Sequence, residues 1–250
     1  MKYSACIEWL FAAEAPDFAD RIRAAKAAGL DAVEFWRFSD KDLDSIEKAL
    51  AETGMPLAGI LAETGGPLAN GHDHERIMNG ISSSLEAARR LGAPVMIVTT
   101  GDEQRGMSRA EQHASIVRVL KDAAKIVEGT GVTIALEPLN DRVDHPGYYL
   151  TSTEEGLDIV DEVGRPEIRL LYDIYHSAVM GEEIEKVLDG RLDRVVHVHL
   201  ADTPGRGEPG SGAMDWADRL EWLEKHGYDG YVGLEYKPSI GTIEGLQFRF

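Results

Sequence analysis

Four short runs of the 250-residue chain carry an ionisable side chain at the same point of a strand-type alternation. In VTIALEP, Val132, Ile134 and Leu136 form one bulky face, which leaves Thr133, Ala135 and Glu137 on the other. GYVGLEY sets Val232 and Leu234 against Tyr231, Gly233 and Glu235, and RVVHVHLAD sets Val196, Val198 and Leu200 against His197 and His199. IRLLYDIYH brings Asp173 to the comparable end of its run. If the bulky faces meet helices, Glu137, Asp173, His199 and Glu235 all point inward at one rim. Carboxylates about 5 Å apart repel by roughly 3 kcal/mol per pair at an effective dielectric near 20. A divalent cation offsets that repulsion, and oxygen ligands with one imidazole suit Mn²⁺ or Mg²⁺. With Cys6 the single cysteine, a thiolate zinc site is excluded.

The elements that must hold this rim are countable from glycines. Gly29, Gly54, Gly92, Gly131, Gly164, Gly190 and Gly227 each stand just before an apolar run, at the place where a helix ends and a strand begins. With the opening KYSACI they define eight strands. The segments between have helical spacing, as in Phe18, Ile22, Ala25 and Ala28, or Ile116, Val119, Leu120, Ala123, Ala124 and Val127. Strand and helix alternating eight times in 250 residues predicts a (β/α)8 barrel, an α/β fold in one domain over residues 1–250. Few residues follow Tyr236, so the eighth helix is expected to be short or irregular. Two long glycine-containing loops, GGPLANGHDHE and ADTPGRGEPGSGAMD, follow strand ends, on the face where barrel enzymes place their chemistry. A doubly wound open sheet is the alternative, but no GxGxxG turn follows the first strand.

Composition narrows the partners. Twenty-six Lys and Arg against 44 Asp and Glu give a net charge of −18, which repels nucleic acid and anionic membrane surfaces. No run approaches a bilayer span, and Glu8 breaks the only apolar stretch near the start. A soluble, cytoplasmic protein with an unpaired Cys6 is expected, with a small molecule as its partner.

The runs ALEPLN (135–140), LYDIYH (171–176), VVHVHLADTPGRGEPGSG (195–212) and GLEYKP (233–238), in this order and spacing, resemble the hydroxypyruvate isomerase group of the xylose isomerase-like barrels. The resemblance implies an isomerase that interconverts the ketone and aldehyde forms of small hydroxy-carbonyl compounds. It implies that Glu137 and Glu235 are both metal ligands and the acid/base pair, with Asp173 a third ligand. His199 fills the fourth position, where hydroxypyruvate isomerases usually carry Gln and the related ketose 3-epimerases carry His. Moving the carbonyl needs a base, an acid and a Lewis acid, working through an enediolate. A substrate such as hydroxypyruvate or 2-oxotetronate also carries a carboxylate, for which Arg206 is the natural clamp. His176 resembles the substrate-contacting histidine of the family, and barrels of this kind often pair as homodimers or larger homo-oligomers.

Glu34 and Glu63 end strands two and three, placed to bind a substrate hydroxyl or to line the mouth. His197 packs below the rim as a partner of the ligand shell, and Glu8 ends strand one. His72 and His74 read as surface residues, and Trp216 and Trp222 as packing or a subunit contact. A ketose 3-epimerase on a small sugar is the principal alternative. An abasic-site endonuclease fits the charge poorly, and a non-catalytic sugar-binding barrel has no reason to keep both glutamates.

Overall fold

The computed structural model describes residues 1–249. Eight parallel strands close into a barrel in sequence order: β1 (Lys2–Cys6), β2 (Ala32–Phe35), β3 (Leu57–Leu61), β4 (Val95–Val98), β5 (Thr133–Leu136), β6 (Ile168–Asp173), β7 (Val195–Leu200) and β8 (Tyr231–Leu234). β1 closes the ring against β8 with Ser4 opposite Gly233 and Ala5 opposite Leu234. The crossovers carry α1 (Phe18–Ala27), α2 (Leu43–Thr53), α3 (His74–Leu91), α4 (Arg109–Val127), α5 (Thr153–Val163), α6 (Ile174–Met180), α7 (Ile184–Val187) and α8 (Trp216–Lys225). Among the described residues after β8 there are α9 (Thr242–Gly245) and a 3₁₀ turn, the short eighth helix expected.

All seven punctuating glycines have positive φ, from 61° at Gly54 to 88° at Gly227. In this left-handed region a Cβ is strained, so glycine ends the helix and turns the chain into the next strand. At the other ends, Ser108 and Glu111 form a reciprocal capping box that starts α4. Among the described residues no helix is long and apolar enough to cross a membrane.

The alternation divides the core in two. Outward residues such as Ile134, Leu136, Val198, Leu200, Val232 and Leu234 are buried against the helices. Val95, Ile97, Ala135 and Leu171 form a separate buried cluster in the barrel lumen. Val196 packs on that lumen cluster, which corrects its outward assignment. The reason is a bulge: Leu170 pairs with Val195 but Leu171 pairs with His197, so Val196 is an extra residue and the inside/outside count restarts after it. His197, His199 and Asp173 keep their inward positions because the bulge precedes them, and Asp173 lies opposite His199. Trp216 packs edge-on against Phe248, and Trp222 stacks on His226, so both tryptophans have partners within the chain.

Candidate active site

β7 carries the centre of the site. His199 is buried, with Asp173 beside it on β6 and Gly233 beside it on β8. One residue beyond β5, Glu137 donates its amide to Val98 O, and one beyond β8, Glu235 donates to Leu200 O, so both side chains rise from the ends of an intact ladder. The imidazole Nδ1 of His199 lies 3.4 Å from Glu137 Oε1, 3.7 Å from Glu235 Oε2 and 3.9 Å from Asp173 Oδ2. One ligand atom from each of the four residues falls within 4.8 Å of the others, and all four are buried. The sequence-derived quartet therefore converges.

Below it, Glu34 ties the floor together. Its carboxylate accepts from Ser4 Oγ at 2.9 Å, meets His197 Nε2 at 2.7 Å and lies 2.9 Å from His199 Nε2. Gly233 makes room for this arrangement: a Cβ there would stand 2.3 Å from Glu34 Oε1 and 2.7 Å from His199 Cδ2. Burial alone would raise the Glu34 carboxyl, but His197 and His199 hold it far below the ordinary carboxylate range. Burial opposes a charge on His199 in turn, yet Glu235, Glu34 and Glu137 push its pKa well up.

The donor set fits a metal. His199 Nδ1 is buried and makes no hydrogen bond of normal geometry, although three carboxylates surround it. An orphaned buried nitrogen aimed at clustered anions is costly, and a cation bound between them satisfies all four groups. The buried Glu137, Asp173, His199 and Glu235 cluster could thus hold a metal ion.

A cavity of about 370 Å³ opens above the cluster, walled by Glu137, His199 and Glu235 with Trp9, Trp36 and Arg206. Arg206 reaches it from the loop after β7, with φ of 54°. Asp202 organises that loop by accepting from the amides of Thr203, Gly210 and Met214. Arg206 is buried over the Trp9 and Tyr175 rings and donates to Glu235 Oε2 at 2.5 Å. Burial works against its charge, while Glu235, Asp173 and Asp144 hold it protonated. Glu235 also accepts from Trp36 Nε1 at 2.7 Å.

The other expected residues stand elsewhere. His176 follows β6 at the start of α6, where its amide donates to Asp173 Oδ1. Its Nδ1 accepts from the Asn140 amide at 3.0 Å, which leaves the ring proton on Nε2, 3.7 Å from Asp173. Burial, with Arg206 nearby, pushes His176 down to about 3, so it is neutral. Glu34 lies under the site, not at a substrate face. Glu63 accepts from the amides of Phe38 and Ser39 at 2.8 Å each and so fixes the loop after β2. Glu8 binds the Trp36 amide and Lys41. His72 is exposed and His74 meets Asp122, away from the cavity.

Trp9, Trp36, Asp144, His145 and Lys237 also line the cavity and were not singled out from the sequence. Two of them carried a signal: Trp36 and Lys237 each lie two residues beyond a glutamate already assigned inward, Glu34 and Glu235. Trp9 enters from the turn after β1, where no alternation points.

A family model described as "Xylose isomerase-like TIM barrel" matches residues 22–249. The chain belongs to this family. Among xylose isomerase-like relatives, the hydroxypyruvate isomerase of Escherichia coli (strain K12) is 30% identical, the alignment covering 99% of this chain and 98% of that protein. The 2-oxo-tetronate isomerase of Cupriavidus necator is 31% identical, with coverage of 92% and 90%. A crystal structure described as AP endonuclease, family 2, from Brucella melitensis has a TM-score of 0.93 at 27% identity, covering 99% and 97%. D-allulose 3-epimerase from Methylomonas sp. shares the fold, with a TM-score of 0.80 at 21% identity over 99% and 88%. The resemblance drawn from the motifs is borne out, and with it the enzyme class, an isomerase.

Proposed function

We propose that this isomerase interconverts a small 2-keto-3-hydroxy acid, of the hydroxypyruvate or 2-oxotetronate type, with its aldehyde isomer. The observation that carries the reading is the placement of Glu137 and Glu235, from separate strands, at 3.4 and 3.7 Å from one imidazole nitrogen on the wall of a small-molecule cavity. Glu137, Asp173, His199 and Glu235 would hold a divalent cation, Mn²⁺ or Mg²⁺, which when bound supplies Lewis-acid stabilisation of charge on the substrate oxygens. One glutamate takes the proton from the hydroxyl-bearing carbon beside the carbonyl, giving an enediolate. The other delivers a proton to the former carbonyl carbon while the hydroxyl proton passes to its oxygen, so the atoms balance. Each proton transfer is worth about 10² to 10⁴ in rate.

Arg206 and His176 orient the substrate through buried N–H groups that no protein group accepts, Nε of Arg206 and Nε2 of His176. The apolar wall of Leu61 and Ile97 limits water around the enediolate. A small acid is the partner, and the net charge of −18 disfavours nucleic acid and anionic membranes. The buried Cys6 suits a reducing cytoplasm.

A second reading, a ketose 3-epimerase, draws support from His199 in the fourth ligand position. Proton NMR in D₂O with the Mn²⁺-loaded protein separates the two. Hydroxypyruvate that gains solvent deuterium and yields an aldehyde, with the signal lost on chelation, is the expected result. An inverted ketose without reaction of the acids would replace the isomerase reading by the epimerase.

A further inference from the structure

One cation on the cavity wall has no counterpart. Lys237 lines the same cavity as Glu137, His199 and Glu235, yet its ammonium pairs with no carboxylate among the described residues. Lys41, Lys125 and Lys186, by contrast, each stand 2.6–2.9 Å from a carboxylate oxygen. Lys2, Lys26, Lys121 and Lys225 also stand without an ion pair among the described residues, but none of them lines this cavity, so Lys237 is set apart by where its unpaired ammonium faces.

Its position is also built. The Lys237 amide donates to Arg206 O at 2.8 Å, and two residues on, the Ser239 amide donates to the buried Glu208 at 2.9 Å. The chain after β8 is thereby tied to the loop after β7. The ammonium lies 5.3 Å from the Trp9 ring centroid and the Arg206 guanidinium carbon 5.1 Å from the same centroid, so one indole carries both cations. Their charges differ in availability. Arg206 is already matched by Glu235 at 2.5 Å, whereas Lys237 is exposed and unmatched.

We propose that Lys237 is a specificity-determining residue: its ammonium receives the carboxylate of the substrate and selects acids over neutral ketoses of the same size. An anion entering this cavity passes Glu137, Asp144 and Glu235, which repel it, and Arg206 offsets no more than the carboxylate it is bonded to. A compact point charge on a flexible stem at the mouth attracts the anion and adapts to acids of different chain length. The inference rests on the acid-isomerase reading for its substrate class, and its test is separable from that reading.

The test compares the Mn²⁺-loaded wild type, Lys237→Met and Lys237→Arg by calorimetric binding of glycerate, an acid without a keto or aldehyde group, and of dihydroxyacetone, the neutral analogue of hydroxypyruvate. Turnover of hydroxypyruvate is followed separately. Lys237→Met should weaken glycerate by at least about tenfold and dihydroxyacetone far less, with Lys237→Arg recovering most of the loss. Added salt should erode glycerate binding in the wild type more than in Lys237→Met. Unchanged glycerate affinity in Lys237→Met, equal losses on both probes, or no glycerate binding by the wild type would overturn the proposal. Lys237-dependent glycerate binding without hydroxypyruvate turnover would overturn the isomerase reading and leave the charge selection standing.

Discussion

The barrel lumen has two unlike halves. From β3 to β6 it is lined by Leu61, Val95, Ile97, Ala135 and Leu171, joined by the bulged Val196. From β7 through β8 and β1 to β2, the same strand alternation points His197, His199, Gly233, Ser4 and Glu34 into the same space. Below the rim, where Asp173 ends β6, the apolar half holds its place chiefly by volume. The polar half holds its place by pairing, with Glu34 reaching from β2 to two histidines on β7 across the room left by Gly233. A largely apolar wall strengthens the electrostatics of the wall opposite. The two halves should therefore respond differently to small changes: the polar half to the loss of single atoms, the apolar half roughly in proportion to volume.

The largest break should come at the rim above the polar half. Glu235→Gln keeps the shape but removes the charge that Trp36 and Arg206 hold in place, and kcat should fall about 10³-fold or more while thermal unfolding stays cooperative. A variant within tenfold of wild type by steady-state kinetics would remove Glu235 from the proposed acid/base pair.

Next is a pH effect beside the rim. Folded His176 titrates near 3, while an unfolded histidine titrates near about 6.5. Between those values the unfolded chain binds a proton that the folded one does not, so stability is lost as pH falls through this window. The slope is about 1.4 kcal/mol per pH unit for one proton. Denaturant unfolding of His176→Asn from pH 6 to 4 should show a shallower decline than wild type by that amount, and parallel profiles would reassign the cause.

Gly233→Ala tests the polar half itself. The added methyl meets Glu34 and His199, and overpacking of this kind costs about 1–3 kcal/mol. Calorimetry should show a lowered Tm, together with weaker Mn²⁺ binding because His199 is displaced; an unchanged Mn²⁺ affinity would show that the floor is more yielding than its distances imply. The smallest effect belongs to the apolar half, where Ile97→Val should cost about 1 kcal/mol in chemical unfolding and leave kcat within about threefold. A drop comparable to that of Glu235→Gln would end the distinction between the two walls.

Much of this was legible before folding. The seven glycines and the alternation in VTIALEP and GYVGLEY give the strand count and bring Glu137 and Glu235 to one rim. The alternation misled at Val196, because a bulge depends on how β7 pairs with β6 and leaves no mark in β7 alone. It left Glu34 and Glu63 undifferentiated. Both end a strand, yet Glu34 points to two histidines whose positions in the chain lie 163 and 165 residues away, and Glu63 finds the amides of the neighbouring loop. Arg206 was found by chemistry, but its bond to Glu235 was not.

By itself the sequence determined what repeats locally: the eight strand-helix units, the glycine turns between them, and which side of each strand carries its ionisable group. These follow from the two-residue period of a strand and the left-handed freedom of glycine, properties of adjacent residues. Only the tertiary structure decided which groups meet. Closing β8 onto β1 brings Gly233 beside Ser4, lets Glu34 brace His199, and seats Arg206 and Lys237 on one indole. Those encounters depend on register around a closed ring, where a shift of one residue turns every side chain to the other face.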